Sequence, residues 1–237
     1  MKKQTFAARL HRYIVSGRIV YLLLIATAGM MGSYTFTMRG GTFCNAQTAN
    51  IAMMAIAFGQ GRWSDALYFI IPICAYFMGA FLSELLLEPD HHIGKLRWDT
   101  CLVMIEMVVL FIIGFIPMSA PVQIVQILIN FIASMQYNTF RQSEGVPMAT
   151  TFCTNHLRQL GIASAQVLRK TDRDAHRKAL IHLRMMVSFL IGGIFLSLGN
   201  HFLQGRSIWL ALFPLSMILV LLLREDLSHP KKSDPEA

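Results

Sequence analysis

Thr42-Phe43-Cys44-Asn45-Ala46-Gln47-Thr48-Ala49-Asn50 has a partner 109 residues further on, Thr151-Phe152-Cys153-Thr154-Asn155-His156-Leu157-Arg158-Gln159. Each copy follows a hydrophobic span and a Gly-containing turn. Downstream of the first, Gly79-Ala80-Phe81-Leu82-Ser83 recurs as Gly193-Ile194-Phe195-Leu196-Ser197, so two matches keep their order along the chain. Ordered self-similarity of this kind is the mark of an internal repeat.

The surroundings of these polar strings are oily. The chain is 54% hydrophobic and 14% charged, with mean hydropathy +0.50, a balance that excludes an ordinary soluble domain. Six stretches approach the roughly 20 apolar residues that cross a hydrocarbon core. They are Ile19 to Met38, Leu67 to Leu87, Cys101 to Met118, Val122 to Phe140, Ala179 to Leu198 and Ser207 to Leu223. Two weaker stretches, Phe43 to Gln60 and Met148 to Val167, carry the repeated signature and too many amides to face lipid. The expected fold is all-α and polytopic, with about six transmembrane helices and two re-entrant or broken signature helices.

Residues 1–18 are expected to form a basic cytoplasmic segment. Repeats then fill 19–118 and 119–224, and 225–237 form a polar tail. Ala26-Thr27-Ala28 resembles a signal-peptide cleavage site, but the apolar run continues to Met38 and reads as an anchored first span. The net charge of +8 gathers in the N-terminus, in Arg169, Lys170, Arg173, Arg177, Lys178 and Arg184, and in Arg224, Lys231 and Lys232. Clusters beside spans point to cytoplasmic loops near anionic lipid rather than to nucleic acid. Both termini are therefore expected in the cytoplasm.

Crossing parity sets the architecture. Re-entrant signature segments give three crossings per half and inverted repeats, the plan of many secondary transporters. Fully spanning segments give four crossings per half and parallel repeats. Six crossings leave Arg39, Arg62 and Arg206 outside, whereas eight leave Arg39, Lys95, Arg97, Arg141 and Arg206, so six is the expected number.

Polar side chains at membrane depth need protein or a watery cavity for company. Asn45, Gln47, Thr48 and Asn50 from one half, with Thr154, Asn155, His156 and Gln159 from the other, are the candidate contacts for a small solute or ion. Hydrogen-bonded packing between helices is the alternative use of the same groups. Glu106, inside Cys101 to Met118, is the candidate coupling residue, because a carboxylate there must be protonated, paired or wetted. Arg158 either attracts an anion or snorkels toward the basic loop. Ala75, Gly79 and Ser83, four residues apart, and Gly193 with Ser197 read as helix-packing faces.

Cys44, Cys74, Cys101 and Cys153 have no metal-type spacing, and His91-His92 lacks a carboxylate or cysteine at ligand distance. His176 and His182 read as interfacial. No cofactor, metal or recognisable catalytic constellation is expected. The functional expectation is a transporter or channel. A structural or regulatory membrane protein binding a partner or anionic lipid is the alternative, and an intramembrane lipid enzyme a third.

Phe43 through Asn50, with Thr48-Ala49-Asn50 in place of T-G-N, and Ala149-Thr150-Thr151-Phe152-Cys153-Thr154 resemble segments of the YoaK-type family of bacterial inner-membrane proteins. Ala49 and Asn155 stand where that family usually has glycine. The resemblance covers nearly the whole chain. It implies a bacterial plasma-membrane location and about six helices, and no particular substrate.

Overall fold

A computed structural model describes residues 2–86, 92–93, 96–143, 145–170 and 173–228, with side chains from Gly17 onward except at His92 and Ile93. His91 of the histidine pair, Lys95, Lys231 and Lys232 lie outside the described residues.

Helix α1 (Lys2–Met38) runs unbroken until Gly40 and Gly41, whose φ of 90° and 71° turn the chain. The irregular stretch 40–46 leads into α2 (Gln47–Gly59). Gly61, at φ 71°, then reverses the chain into α3 (Trp63–Tyr68) and α4 (Ile70–Leu86). A two-residue hairpin, β1 (His92–Ile93) on β2 (Leu96–Arg97), precedes α5 (Trp98–Ile113). Helix α6 (Val122–Thr139) is followed by a second small hairpin, β3 (Gln142–Ser143) on β4 (Val146–Pro147). Then come α7 (Thr154–Arg169), α8 (Ala175–Leu203), a 3₁₀ stretch Gln204–Ala211 and α9 (Leu212–Ser228).

Prolines fall where a missing N–H costs least. Pro72 and Pro214 occupy first turns, and Pro121 caps α6. The expected spans shift accordingly. Helix α5 starts three residues before Cys101 and gives way at Gly114, and the expected span from Ser207 begins as 3₁₀ helix because Gln204 (φ 47°) breaks the register.

Three runs, Gly17–Met38, Trp63–Leu86 and the 54-residue Ala175–Ser228, are long and apolar enough to cross a membrane. Their outer faces suit lipid: Phe77, Phe81 and Leu85 on α4, and Leu190, Ile194 and Phe202 on α8, are all exposed. Exposed apolar side chains in such stripes would be an aggregation hazard in water. This is a helical membrane protein.

Helix α1 packs chiefly against α8, and α6 against α4; α7 lies on α8, and α5 on α9 and α6. The core gathers Leu24, Ala28 and Tyr34 of α1, Leu102 and Leu110 of α5, Ile129 and Ile132 of α6, and Leu215 and Ile218 of α9. Two contacts are backbone-close. A Cβ at Gly192 would sit 2.0 Å from the Ala26 carbonyl oxygen, and one at Gly79 would sit 2.1 Å from Ser134 Oγ and 2.3 Å from the Phe131 carbonyl oxygen. Small residues let helix backbones approach this way in membranes. Gly79 and Ser83 are buried against α6, and Ala75 is half-buried. Gly193 and Ser197 are also half-buried, with the closest approach falling to neighbouring Gly192.

Contacts at the helix ends form two groups. In one, the Arg39 guanidinium donates to the Tyr34 hydroxyl (3.1 Å) and to the carbonyls of Pro117 (3.0 Å) and Ile116 (2.7 Å), while Tyr34 donates to the Gly205 carbonyl (2.8 Å). In the other, Arg97 pairs with Asp226 (2.6 Å), Glu225 (3.1 Å) and Asp99 (3.4 Å), and Arg141 pairs with Glu84. Burial works against the Arg97 charge, but the three carboxylates more than offset it and hold its pKa above the ordinary value.

Candidate functional site

The two signature segments touch. Asn45, buried in the irregular stretch before α2, donates from Nδ2 to the Thr151 carbonyl at 2.5 Å and more distantly to the Ala28 carbonyl at 3.5 Å. Around that contact runs a web of amides. Gln47 donates to the Cys44 carbonyl (3.0 Å) and to Asn130 Oδ1, and accepts from Asn50 Nδ2 (3.0 Å). Asn130 donates to the Gln126 carbonyl (2.7 Å). Gln126 in turn donates to the Arg39 carbonyl and to Thr42 Oγ1, both at 2.9 Å, and accepts from the Tyr68 hydroxyl (3.0 Å).

Helix α6 is the shared wall. Gln126, Asn130 and Ser134 recur every four residues, one turn apart on a single face, and all three are buried. Gln136 adds a bond from Nε2 to the Thr150 carbonyl (3.2 Å) and one to the Leu24 carbonyl (3.4 Å). None of these α6 residues stood among the sequence candidates. Their spacing was visible inside the span from Val122, where the apolar average concealed it.

Unused hydrogen-bonding capacity collects at the same junction. Gln136 Oε1 and Thr150 Oγ1 are buried without a partner among the described residues, as is Thr151 Oγ1, which lies near the Tyr76 hydroxyl without a bond of normal geometry. Buried polar atoms are rarely left so, and each demands an explanation.

The remaining sequence candidates scatter. Thr48 and Thr154 are exposed. Asn155 is half-buried and accepts a long bond from the exposed Arg158 (3.4 Å). Gln159 lines a separate cleft with Gln166, Lys178 and His182. His156 is fully buried, with Nε2 2.8 Å from the Ala149 carbonyl and Nδ1 3.0 Å from Nδ1 of His182. His182, expected at the interface, is instead 2% exposed. The turn of α8 that carries it is covered by α7, a tertiary effect that its basic neighbours hid.

Those distances determine the tautomers of two neutral rings. A carbonyl only accepts, so His156 carries its proton on Nε2 and offers a lone pair at Nδ1. His182 must then donate from Nδ1, which leaves its Nε2 as an acceptor.

Glu106 is 1% exposed, and neither carboxylate oxygen has a hydrogen-bond partner among the described residues. No group of His, Cys, Asp and Glu side chains capable of holding a metal occurs among the described residues.

A family model described as "Protein of unknown function (DUF1275)" matches residues 20–221, from α1 into α9 and across both signature segments. The chain belongs to this family. The match is consistent with the YoaK-type resemblance carried by Phe43–Asn50 and Ala149–Thr154. No curated protein and no solved structure shows significant similarity to the chain. Membership of DUF1275 thus fixes kinship and leaves the chemistry to be argued from the junction of the signature segments.

Proposed function

We propose that the chain is a membrane carrier for a small polar solute or ion, bound where the signature segments meet. The observation that carries this reading is the coincidence of the Asn45–Thr151 contact with the unsatisfied atoms of Gln136, Thr150 and Thr151. A solute with both donors and acceptors would complete them. Glu106, buried without a partner, is the group to couple a proton or cation.

Six crossings and inverted repeats frame that carrier. Helix α2, 13 residues long, rises only about 20 Å and falls short of a roughly 30 Å core. With eight crossings Arg39 and Pro117 would stand on opposite faces, as would Arg97 and Asp226, yet each pair is bonded. Six crossings place each pair on one face. The packing of α1 on α8, echoed by α6 on α4, supports an exchange of equivalent partners between halves. On this plan both termini and the basic segment 168–178 are cytoplasmic, beside anionic lipid of a bacterial plasma membrane.

Purified protein in liposomes is expected to move at least one of a broad panel of polar solutes and ions under a proton or sodium gradient. The Glu106→Gln variant should lose the gradient dependence. Absence of flux across the whole panel, from protein shown to be folded, defeats the proposal.

A second reading has its own support: Asn45, Gln47, Asn50, Gln126 and Asn130 all find protein partners, as packing glue would. A scaffold of that kind would show no flux and would retain a partner or lipid through Arg169, Lys170 and Arg173.

A further inference from the structure

A pocket lies away from the contact of Asn45 with Thr151. The β3–β4 hairpin contributes Val146 and Pro147, α7 contributes Gln159 and Gln166, and α8 contributes Lys178 and His182, around a cavity of ≈ 280 Å³. Neither Asn45, Gln47 nor Asn50 lines it. His182 meets His156 through Nδ1, and its Nε2 makes no bond to any described residue. A ring 98% enclosed by protein therefore keeps one lone pair for whatever occupies the cleft.

That lone pair restricts the occupant. A fully deprotonated anion would meet it unfavourably, and an apolar one would leave it orphaned. Beside the apolar Val146, Pro147, Ile162 and Ala163, the polar lining is rich in donors. Lys178 and Gln166, each with a further interaction inside the protein, bring an ammonium and an amide, Gln159 brings a second amide, and exposed Arg169, Lys170 and Arg173 outnumber Asp174 in the adjoining segment. One common chemistry answers both demands: inorganic phosphate, or the monoanion of a phosphomonoester, which carries an acidic proton beside its charged oxygens and, with a second pKa near 6, is the minor form at neutral pH that this site would select.

From the His156–His182 bond and the cleft it opens on, we infer that this pocket binds a protonated phosphate oxyanion. The P–OH donates to His182 Nε2, and the other oxygens accept from Lys178 and the two glutamines. Free phosphate and the phosphomonoester headgroup of phosphatidic acid share this chemistry. The inference stands whether or not the chain transports anything.

The test uses the full chain with ¹⁵N-labelled histidine in phosphatidylcholine nanodiscs, at constant pH and ionic strength. Before any addition, His182 is expected to show a protonated Nδ1 and a bare Nε2, and His156 the reverse. Inorganic phosphate should shift His182 Nε2 and leave His156 Nε2 unmoved. Sulfate, similar in shape but without a proton, should bind roughly tenfold more weakly, since it strands the acceptor. Lys178→Ala, which leaves the His156–His182 bond intact, should weaken phosphate roughly tenfold as well. A response to free phosphate assigns the soluble anion, and a response only to nanodiscs containing phosphatidic acid assigns the lipid headgroup. Equal response to sulfate and phosphate overturns the inference. So does silence toward both phosphate and phosphatidic acid, or a proton found on His182 Nε2.

Discussion

Replacing Gly192 with alanine tests the backbone-close contact between α1 and α8. The new Cβ would sit 2.0 Å from the Ala26 carbonyl oxygen, where ordinary contact begins at 3.4 Å, so α1 and α8 must part by roughly 1.4 Å. Backbone cannot swing aside as a side chain does. Overpacking of this kind typically costs about 1–3 kcal/mol, against which alanine recovers up to about 1 kcal/mol of helix propensity. The expected net loss is about 1–2 kcal/mol. Gly193 is the internal control: its Cβ would crowd Ser33 Oγ at 2.8 Å, a hydroxyl that can rotate, and meet the Gly29 carbonyl oxygen at an ordinary 3.6 Å, so the Gly193→Ala change should stay within about 0.5 kcal/mol of wild type. Gly29→Ala, 2.1 Å from the Phe189 carbonyl oxygen, should match Gly192→Ala. The Gly29→Ala/Gly192→Ala pair should cost less than the sum, because helices already parted have room for the second methyl. Unfolding in mixed micelles with increasing SDS, followed by tryptophan fluorescence, measures all four. Equal loss at 192 and 193, or full additivity of the pair, refutes the argument.

Three further outcomes are expected. Asp226→Ala removes the acceptor shared by Arg97 and Thr100, and should cost about 1–3 kcal/mol in the same assay, with Arg97→Ala close behind. Glu106→Leu replaces a buried carboxylate that has no partner among the described residues, so it should raise the thermal midpoint in detergent while abolishing any gradient-driven flux. Cys44 is 1% exposed, and a polar maleimide should modify it in the folded protein at least about tenfold more slowly than after unfolding, as read by intact-mass spectrometry.

Composition made the helical skeleton readable, because a chain this apolar has few ways to satisfy its backbone other than helices. The repeated signature led to Asn45 and to Thr151, whose contact lies at the centre of the polar web. Gly79 and Ser83 were legible as packing residues because small side chains four apart share a face. The α6 amides were hidden by averaging: Gln126 and Asn130 sit in a run otherwise rich in Ile and Val, and only their common face distinguishes them. His182 was misread because its sequence neighbours are basic while its ring is buried against His156. Helix α7 covers it, and no local pattern records that contact. The break at Gln204 is marked locally only by the glycine that follows it, Gly205, while the positive φ of 47° falls on the glutamine itself.

The two faces are fastened by different chemistry. On the face of Arg97 and Arg141, the ties are ion pairs to Asp226, Glu225 and Glu84. Around Arg39, the bonds of its guanidinium and of Tyr34 end on neutral oxygens: the Tyr34 hydroxyl and the carbonyls of Pro117, Ile116 and Gly205. Dissolved salt screens the first set, whose arginines are partly exposed, and has little hold on the second, whose arginine is fully enclosed. Raising ionic strength is therefore expected to weaken the Arg97 and Arg141 pairs and to leave the enclosed Arg39 cluster unchanged.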